Sequence, residues 1–424
     1  MTTILGIDFG TTNSVFAVLD TESRQVTTRR FAVGGEDYDV FRTVLCFWAD
    51  QANGRTTLRH AAGPAAILAY LDEPLDSRLV MSTKTYLASK NFTATNLFGR
   101  TLTLEQLIGL FLRDLFGAAE LDTTGLHIVA GRPVQFAGEQ ADDALGQTRL
   151  RAAFAEAGFP SIDLALEPEA AGYRFTRALN GAATVLVGDF GGGTSDFSVL
   201  RFDPGADTPI TALGRAGVGI AGDSFDARIM DKVVAPLLGK NTTYKPWGTD
   251  LPVPAEWYSA FARWHRLSMM RSPRTMRDIA EVRRTADHPE RLDHLVSLIE
   301  DEQGYSLYRA VSNAKAALSS ADSTSLRFDH AGFSIDQPIA RTEFEGWIAP
   351  ELKRLDATIT EALAASNIAE HAIDRVFLTG GTAFVPAVRA LFDTRFGPER
   401  VSGGGEFVSV AEGLALIGAE RLGL

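Results

Sequence analysis

The sequence holds a single cysteine in 424 residues, Cys46, so no disulfide can form within the chain. Set in the apolar run "VLCFW", it reads as a small buried hydrophobe rather than a reactive thiol. The amino terminus passes from Met-Thr-Thr straight into a strand-like pattern, with none of the basic, apolar and small-residue regions of a secretory leader. No run approaches the roughly 18 apolar residues of a membrane helix. Positive charge is scarce: 41 Lys and Arg stand against 53 Asp and Glu, a formal net charge of −12. That balance argues against nucleic acid and anionic membranes as partners, since both reward a basic footprint. A cytoplasmic protein in a reducing compartment is the expectation. The histidines at 60, 127, 265, 288, 294, 330 and 371 form no His-x-x-x-His pair, and with one cysteine they predict no zinc site. A Walker A loop, a Gly-x-Ser-x-Gly turn, and the His-Arg-Asp and Val-Ala-Ile-Lys elements of protein kinases are all missing.

What the sequence does carry is one pattern written twice. "ILGIDFGTTNSVFAVLD" (4–20) and "VLVGDFGGGTSDFSVLRF" (185–202) each read as apolar strand, Asp-Phe-Gly, small residues, apolar strand. Each is a hairpin signal. Glycine lets the backbone pass close to a bulky anion, and successive N–H groups then form a nest for phosphate oxygens. Thr11, Thr12, Asn13 and Thr194 add side-chain donors beside Gly10, Gly191, Gly192 and Gly193. Asp8 and Asp189 stand at the strand ends, where a carboxylate can hold a hydrated Mg²⁺. Two such turns predict a duplicated α/β fold gripping one polyphosphate from both sides. "GVGIAG" (217–222) satisfies a dinucleotide fingerprint, but no strand ending in Asp or Glu follows about twenty residues on. It reads as a turn near the second phosphate loop.

Between these turns, strands and helices alternate, as in an α/β protein. Helices are predicted at 103–120, 138–158, 167–179, through "GDSFDARIMDKVVAPLL" (222–238), at 305–320, 341–366 and 409–422, with strand, Gly-Gly turn and helix over 374–396. Residues 240–300 are rich in Pro, Trp, Met and Arg and read as an inserted helical lobe. There Trp247, Trp257, Trp264, Met269 and Met270 suit either a small core or a partner surface.

The ordered segments "IDFGTTNSV", "LEPEAAGY", "DFGGGTSDFS", "AGDSFDARI", "NAKAALSS" and "LTGGTAFVP" resemble the nucleotide-site motifs of DnaK-type heat-shock chaperones (the heat shock protein 70 family), within the actin–hexokinase ATPase superfamily. The pattern is most similar to the short DnaK relatives of the YegD type. The resemblance implies a duplicated actin-like, ribonuclease-H-like fold: lobe I at 1–179 with the helix at about 405–424 packed back on it, lobe II at 180–404 with a helical insertion at about 227–325, and ATP or ADP with Mg²⁺ in the cleft. It implies that Asp196 and Glu167 orient the attacking water. Gly222, Lys315, Ser319, Gly380, Gly381 and Phe384 would flank the adenosine. Asp8 and Asp189 would hold Mg²⁺ through water. Where the family carries a lysine beside the γ-phosphate, "AAGPAAILAY" puts Ala66, which implies slow hydrolysis. A chain lacking the family's peptide-binding domain is expected, and the resemblance implies a weak, chaperone-related ATPase with nucleotide-driven lobe movement and an unidentified protein partner or client. A non-catalytic or filament-forming actin relative and a small-molecule kinase are the alternatives.

Overall fold

The computed structural model describes residues 3–23, 25–52, 55–121, 125–137, 140–176, 179, 181–203, 206, 210–262, 270–403 and 408–424. The chain divides into two compact units, Met1–Gly222 with Lys353–Leu424, and Asp223–Leu352.

The first unit is built on two sheets of the same design. Strands β1 (Thr3–Phe9) and β2 (Asn13–Asp20) form an antiparallel hairpin. β3 (Leu126–Arg132) runs parallel to β1, and β4 (Asp163–Leu166) runs parallel to β3. The short strands Val26–Thr28 and Phe41–Arg42 extend the sheet on the β2 side. In the second sheet, β5 (Ala183–Phe190) and β6 (Ser195–Phe202) form the hairpin, with β7 (Ile210–Val218) antiparallel to β6. β8 (Arg375–Thr379) then runs parallel to β5, and β9 (Val401–Gly403) runs parallel to β8. Hairpin, flanking antiparallel strand and two parallel strands therefore recur in the same order.

Alternation sorts each strand onto two faces. Leu5, Ile7, Phe9, Phe16 and Val18 enter one core. Helix α1 (Leu104–Ala118) covers it with Leu104, Leu107, Ile108, Phe111, Leu112 and Leu115. Its start is set by a capping box: Thr103 Oγ1 accepts from Gln106 N at 3.2 Å, and Gln106 Oε1 accepts from Thr103 N at 3.1 Å. Helix α2 is Asp143–Glu156, shorter than the 138–158 expected, because Asp142 caps it through Leu145 N (3.1 Å); positions 138–139 lie outside the described residues. On the opposite face Ile4, Val15, Ala17 and Leu19 meet Ala411, Ala415 and Ala419 of helix α4 (Ser409–Arg421). That helix also packs on α3 (Glu167–Thr176). A Cβ at Gly413 would run into the Ala170 carbonyl of α3, so the helices touch at backbone distance. Residues 405–407 of the expected terminal helix lie outside the described residues.

Two expected helices change course at proline. Beyond Gly222–Ile229 the winding loosens to a π turn over Met230–Val234 and tightens to a 3-10 turn over Ala235–Leu238, where Pro236 has no N–H to continue the ladder. The 341–366 helix is two, Arg341–Trp347 and Ala349–Ser366, broken at Ile348 just before Pro350. The second unit carries helices Ala255–Phe261, Pro273–Arg283, Pro289–Glu300 and Gly304–Leu318, and a hairpin Ser323–His330/Phe333–Ala340. Trp257 and Met270 are buried there and Trp247 is fully exposed, while Trp264 and Met269 lie outside the described residues. Cys46 is buried, and burial pushes its thiol up to about 11. Among the described residues no helix is long and apolar enough to cross a membrane.

Candidate functional site

The two hairpin turns match residue for residue in pairing register. Asp8 lies opposite Val15 across the first hairpin, and Asp189 lies opposite Asp196 across the second. Asp-Phe-Gly-Thr-Thr-Asn-Ser-Val thus matches Asp-Phe-Gly-Gly-Gly-Thr-Ser-Asp without a gap. Both serines, Ser14 and Ser195, are fully buried. Ser14 Oγ lies 2.9 Å from Thr43 Oγ1. Ser195 Oγ donates to Ile220 O at 2.6 Å, which ties the turn before Gly222 to the residue after Thr194.

The turns face one another. A Cβ built on Gly193 would lie 3.4 Å from Thr11 Oγ1. Gly380, at φ 88°, follows β8 and abuts the Phe190 carbonyl so closely that any side chain would collide with it. The Gly380–Gly381 turn is therefore seated directly behind Gly191. Phe384, at the end of the 3-10 turn Gly381–Phe384, is 51% exposed. Gly10, Thr11, Thr12, Asn13, Gly191, Gly192, Gly193, Thr194, Gly380, Gly381 and Phe384 all belong to the first unit. Lys315 and Ser319 stand in the second, where Lys315 Nζ is 2.8 Å from Asp226 Oδ2.

Behind the turns, three carboxylates gather around one lysine, and a fourth, Asp196, acts on two of them. Glu167 opens α3, and Gly131 makes room for it: a Cβ there would lie 2.9 Å from Glu167 Cγ. Lys84 Nζ lies 2.6 Å from Glu167 Oε1, with both side chains less than a tenth exposed. Burial alone would lower the Lys84 ammonium, but Glu167, Asp8 and Asp189 outweigh it and hold it above its ordinary value. Asp8 is pushed up to about 7, by burial first and then by Glu167, against the pull of Lys84. Burial, Glu167, Asp8 and Asp196 raise Asp189 well above the carboxylate range, again against Lys84. Asp196 is raised to about 7 by burial and by Glu167, while backbone hydrogen bonds work the other way. Its Oδ1 accepts from Val134 N at 2.9 Å and from Gln135 N at 3.4 Å.

Raised carboxylates with a single buried cation among them form a site short of positive charge. The donor set fits a hydrated divalent cation near Asp8 and Asp189. Among the described residues no group of three or more His, Cys, Asp and Glu side chains is arranged to ligate a metal directly, and a water-mediated ion needs none.

Lys84 is the residue that sequence reasoning missed. Ala66 is a fully buried core position in the helix Gly63–Asp72, and the cation arrives instead from the 3-10 turn Thr83–Tyr86. Arg149 of α2 holds that segment in place, its Nη1 donating to the carbonyls of Tyr86, Leu87 and Ser89 at 3.3, 3.4 and 2.8 Å. The signal available in the sequence was a lone lysine in "MSTKTYLAS", between two apolar stretches.

The mixed α/β architecture, with paired glycine turns over buried acids, fits an actin-like ATPase fold. Residues 293–423 match the family model described as Hsp70 protein. Over its whole length the chain is 25% identical to the chaperone protein DnaK of Deinococcus radiodurans, and 24% identical to those of Deinococcus deserti and Deinococcus proteolyticus. It spans about 60% of the length of these relatives. These matches make the chain similar to Hsp70/DnaK-type proteins.

Proposed function

We propose that the two turns bind ATP and ADP with Mg²⁺, and that the chain hydrolyses ATP as a DnaK-like, chaperone-related nucleotide-binding domain in the cytoplasm. The observation that carries this reading is the meeting of Gly193 with Thr11 above an acidic cluster that needs a cation. Backbone N–H groups of Gly10–Thr12, Gly192 and Gly193 cradle the phosphates, the Gly191 N–H being held by Thr194 O at 2.9 Å, with the Thr11, Thr12, Asn13 and Thr194 side chains as further donors. Asp8 and Asp189 hold Mg²⁺ through water, and the bound ion supplies charge neutralisation on the phosphate oxygens. Phosphoryl transfer asks for positioning and charge more than for covalent chemistry. Lys84, kept ionised by Glu167, supplies a fixed positive charge. Asp196, poised near neutrality and held by two backbone N–H groups, takes the proton of the attacking water. Phe384 offers an exposed ring for the base, and Gly380–Gly381 the close backbone approach to the adenosine.

A non-catalytic binder, which Ala66 would favour, loses that support because Lys84 provides the missing charge. Domain organisation into halves at 1–179 and 180–404, moving with nucleotide state, belongs to the same proposal, as does a protein partner or client. Titration calorimetry with Mg-ATP tests binding, and no heat at high micromolar protein ends the reading. In a single-turnover assay Asp196→Asn abolishes hydrolysis and keeps binding; unchanged turnover removes Asp196 from the mechanism.

A further inference from the structure

The first turn has a basic neighbour that the nucleotide reading does not use. Arg42 lies on the short strand Phe41–Arg42, which pairs antiparallel with the start of β2: Asn13 stands opposite Arg42, and Ser14 opposite Phe41. Thr43 N donates to Thr12 O at 2.9 Å, which pins this strand to the turn itself. Alternation places Ser14, Phe41 and Thr43 on the core face and Asn13 and Arg42 on the other. Asp8 is opposite Val15, so Asp8 shares the face of Asn13. Arg42 Nη1 donates to Asn13 Oδ1 at 3.1 Å. Among the described residues Arg42 makes no ion pair.

An arginine has donors only, and a side-chain amide has an acceptor at one end and donors at the other. The oxygen of Asn13 must therefore face Arg42, whatever ligand is bound, and the amide plane turns Nδ2 the other way. We infer that Arg42 is a positioning residue: it locks the Asn13 amide with its NH₂ end presented to the polyphosphate at the first turn. Without Arg42 the amide flips freely and can offer its carbonyl oxygen to the anion instead. This inference rests on the nucleotide reading, and it makes Arg42 act through Asn13 rather than as a phosphate ligand of its own.

The test is calorimetry of Mg-ATP, Mg-ADP and adenosine on the wild-type chain, Arg42→Ala, Asn13→Ala and the double variant. The expected result is a loss of roughly ten-fold in affinity for both nucleotides with Arg42→Ala, the size of one hydrogen bond misdirected. Adenosine affinity and the urea midpoint stay unchanged, and the double variant is no weaker than Asn13→Ala. Nucleotide affinity unchanged in Arg42→Ala overturns the inference. So does full additivity in the double variant, which would make Arg42 an independent phosphate ligand, and so does an equal loss for adenosine, which would mean general damage. A wild-type chain that binds no Mg-ATP sinks the nucleotide reading itself, whereas wild-type binding with an unaffected Arg42→Ala sinks only the role of Arg42.

Discussion

Replacing Lys84 with methionine keeps the length and apolar stem of the side chain and removes its charge. The pair it breaks is buried on both sides, at 2.6 Å. At an effective dielectric constant of about 20, the gross attraction at that distance is about 6 kcal/mol. Desolvation of the ammonium offsets part of it, and deleting one partner of a buried pair commonly costs about 3–5 kcal/mol. Here the stranded Glu167 also faces Asp8, Asp189 and Asp196. The loss has a ceiling, because one carboxylate of the cluster can take up a proton. For a carboxylate of ordinary pKa about 4, that costs roughly 5 kcal/mol at pH 7.5 and about 2 kcal/mol at pH 5.5. Lys84→Met without nucleotide should therefore lose about 3–5 kcal/mol at pH 7.5 and no more than about 2 kcal/mol at pH 5.5. Urea-dependent hydrogen exchange of the β1 and β5 amides reads this directly. A loss below about 1 kcal/mol at pH 7.5, or one that does not shrink with acid, would show that Lys84 is not the counter-charge of this cluster.

The raised Asp196 makes a separate pH prediction. Its folded pKa of about 7 lies above the unfolded value of 3.8, so its contribution to stability is complete below about pH 4 and is lost as pH rises through 7. Linkage puts the change at about 4 kcal/mol, and Asp196→Asn should flatten the decline of stability between pH 5 and 8; an unaltered slope would contradict the assignment. Mg²⁺ should raise the thermal midpoint of the nucleotide-free chain more at pH 8 than at pH 5.5, since Asp8, raised to about 7, is then ionised, and a pH-independent effect in scanning calorimetry would place the ion elsewhere. Phe384→Ala should leave stability within about 0.5 kcal/mol, because the ring is half exposed, and weaken ATP roughly ten-fold or more through lost stacking without affecting tripolyphosphate. Equal losses for both ligands would contradict that role. Arg149→Ala frees three carbonyls beside the Lys84 turn; single-turnover hydrolysis should slow while Mg-ADP affinity holds, and an unchanged rate would mean that the turn is held by its own packing.

Both hairpin turns were legible because each is local: eight consecutive residues carry strand end, acid, glycine and hydroxyl, and hairpin register does the rest. The Gly380–Gly381 turn was legible for the same reason. Lys84 was not, because its meaning depends on a contact with Glu167 across 83 positions and on carbonyls held by Arg149 from another helix. Ala66 followed from the family resemblance, and it falls on a core position of the helix Gly63–Asp72. Helix ends at Ile348 and Pro236 were misjudged where apolar periodicity continued past a residue that cannot donate. Trp247 and Trp257 show the limit of composition: one tryptophan is fully exposed and the other buried, although both belong to the same aromatic-rich stretch.

The duplicated hairpins also explain why the site needs help from outside them. One strand-end acid beside a glycine turn crowds no like charge of its own kind, but two such hairpins face to face bring Asp8 and Asp189 together. The halves differ at the position opposite that acid, Val15 in the first and Asp196 in the second. Like charges directly across an antiparallel pair are unfavourable, so the second hairpin gains its candidate base at the cost of further crowding. Neither hairpin can supply the compensating cation, since its side chains at these positions are committed to the turn. It comes from the segment between the Val44–Ala52/Arg55–Ala62 hairpin and α1, an addition to the first half of the duplication. Under the proposed function, this asymmetry between otherwise matched halves separates holding a phosphate from acting on it.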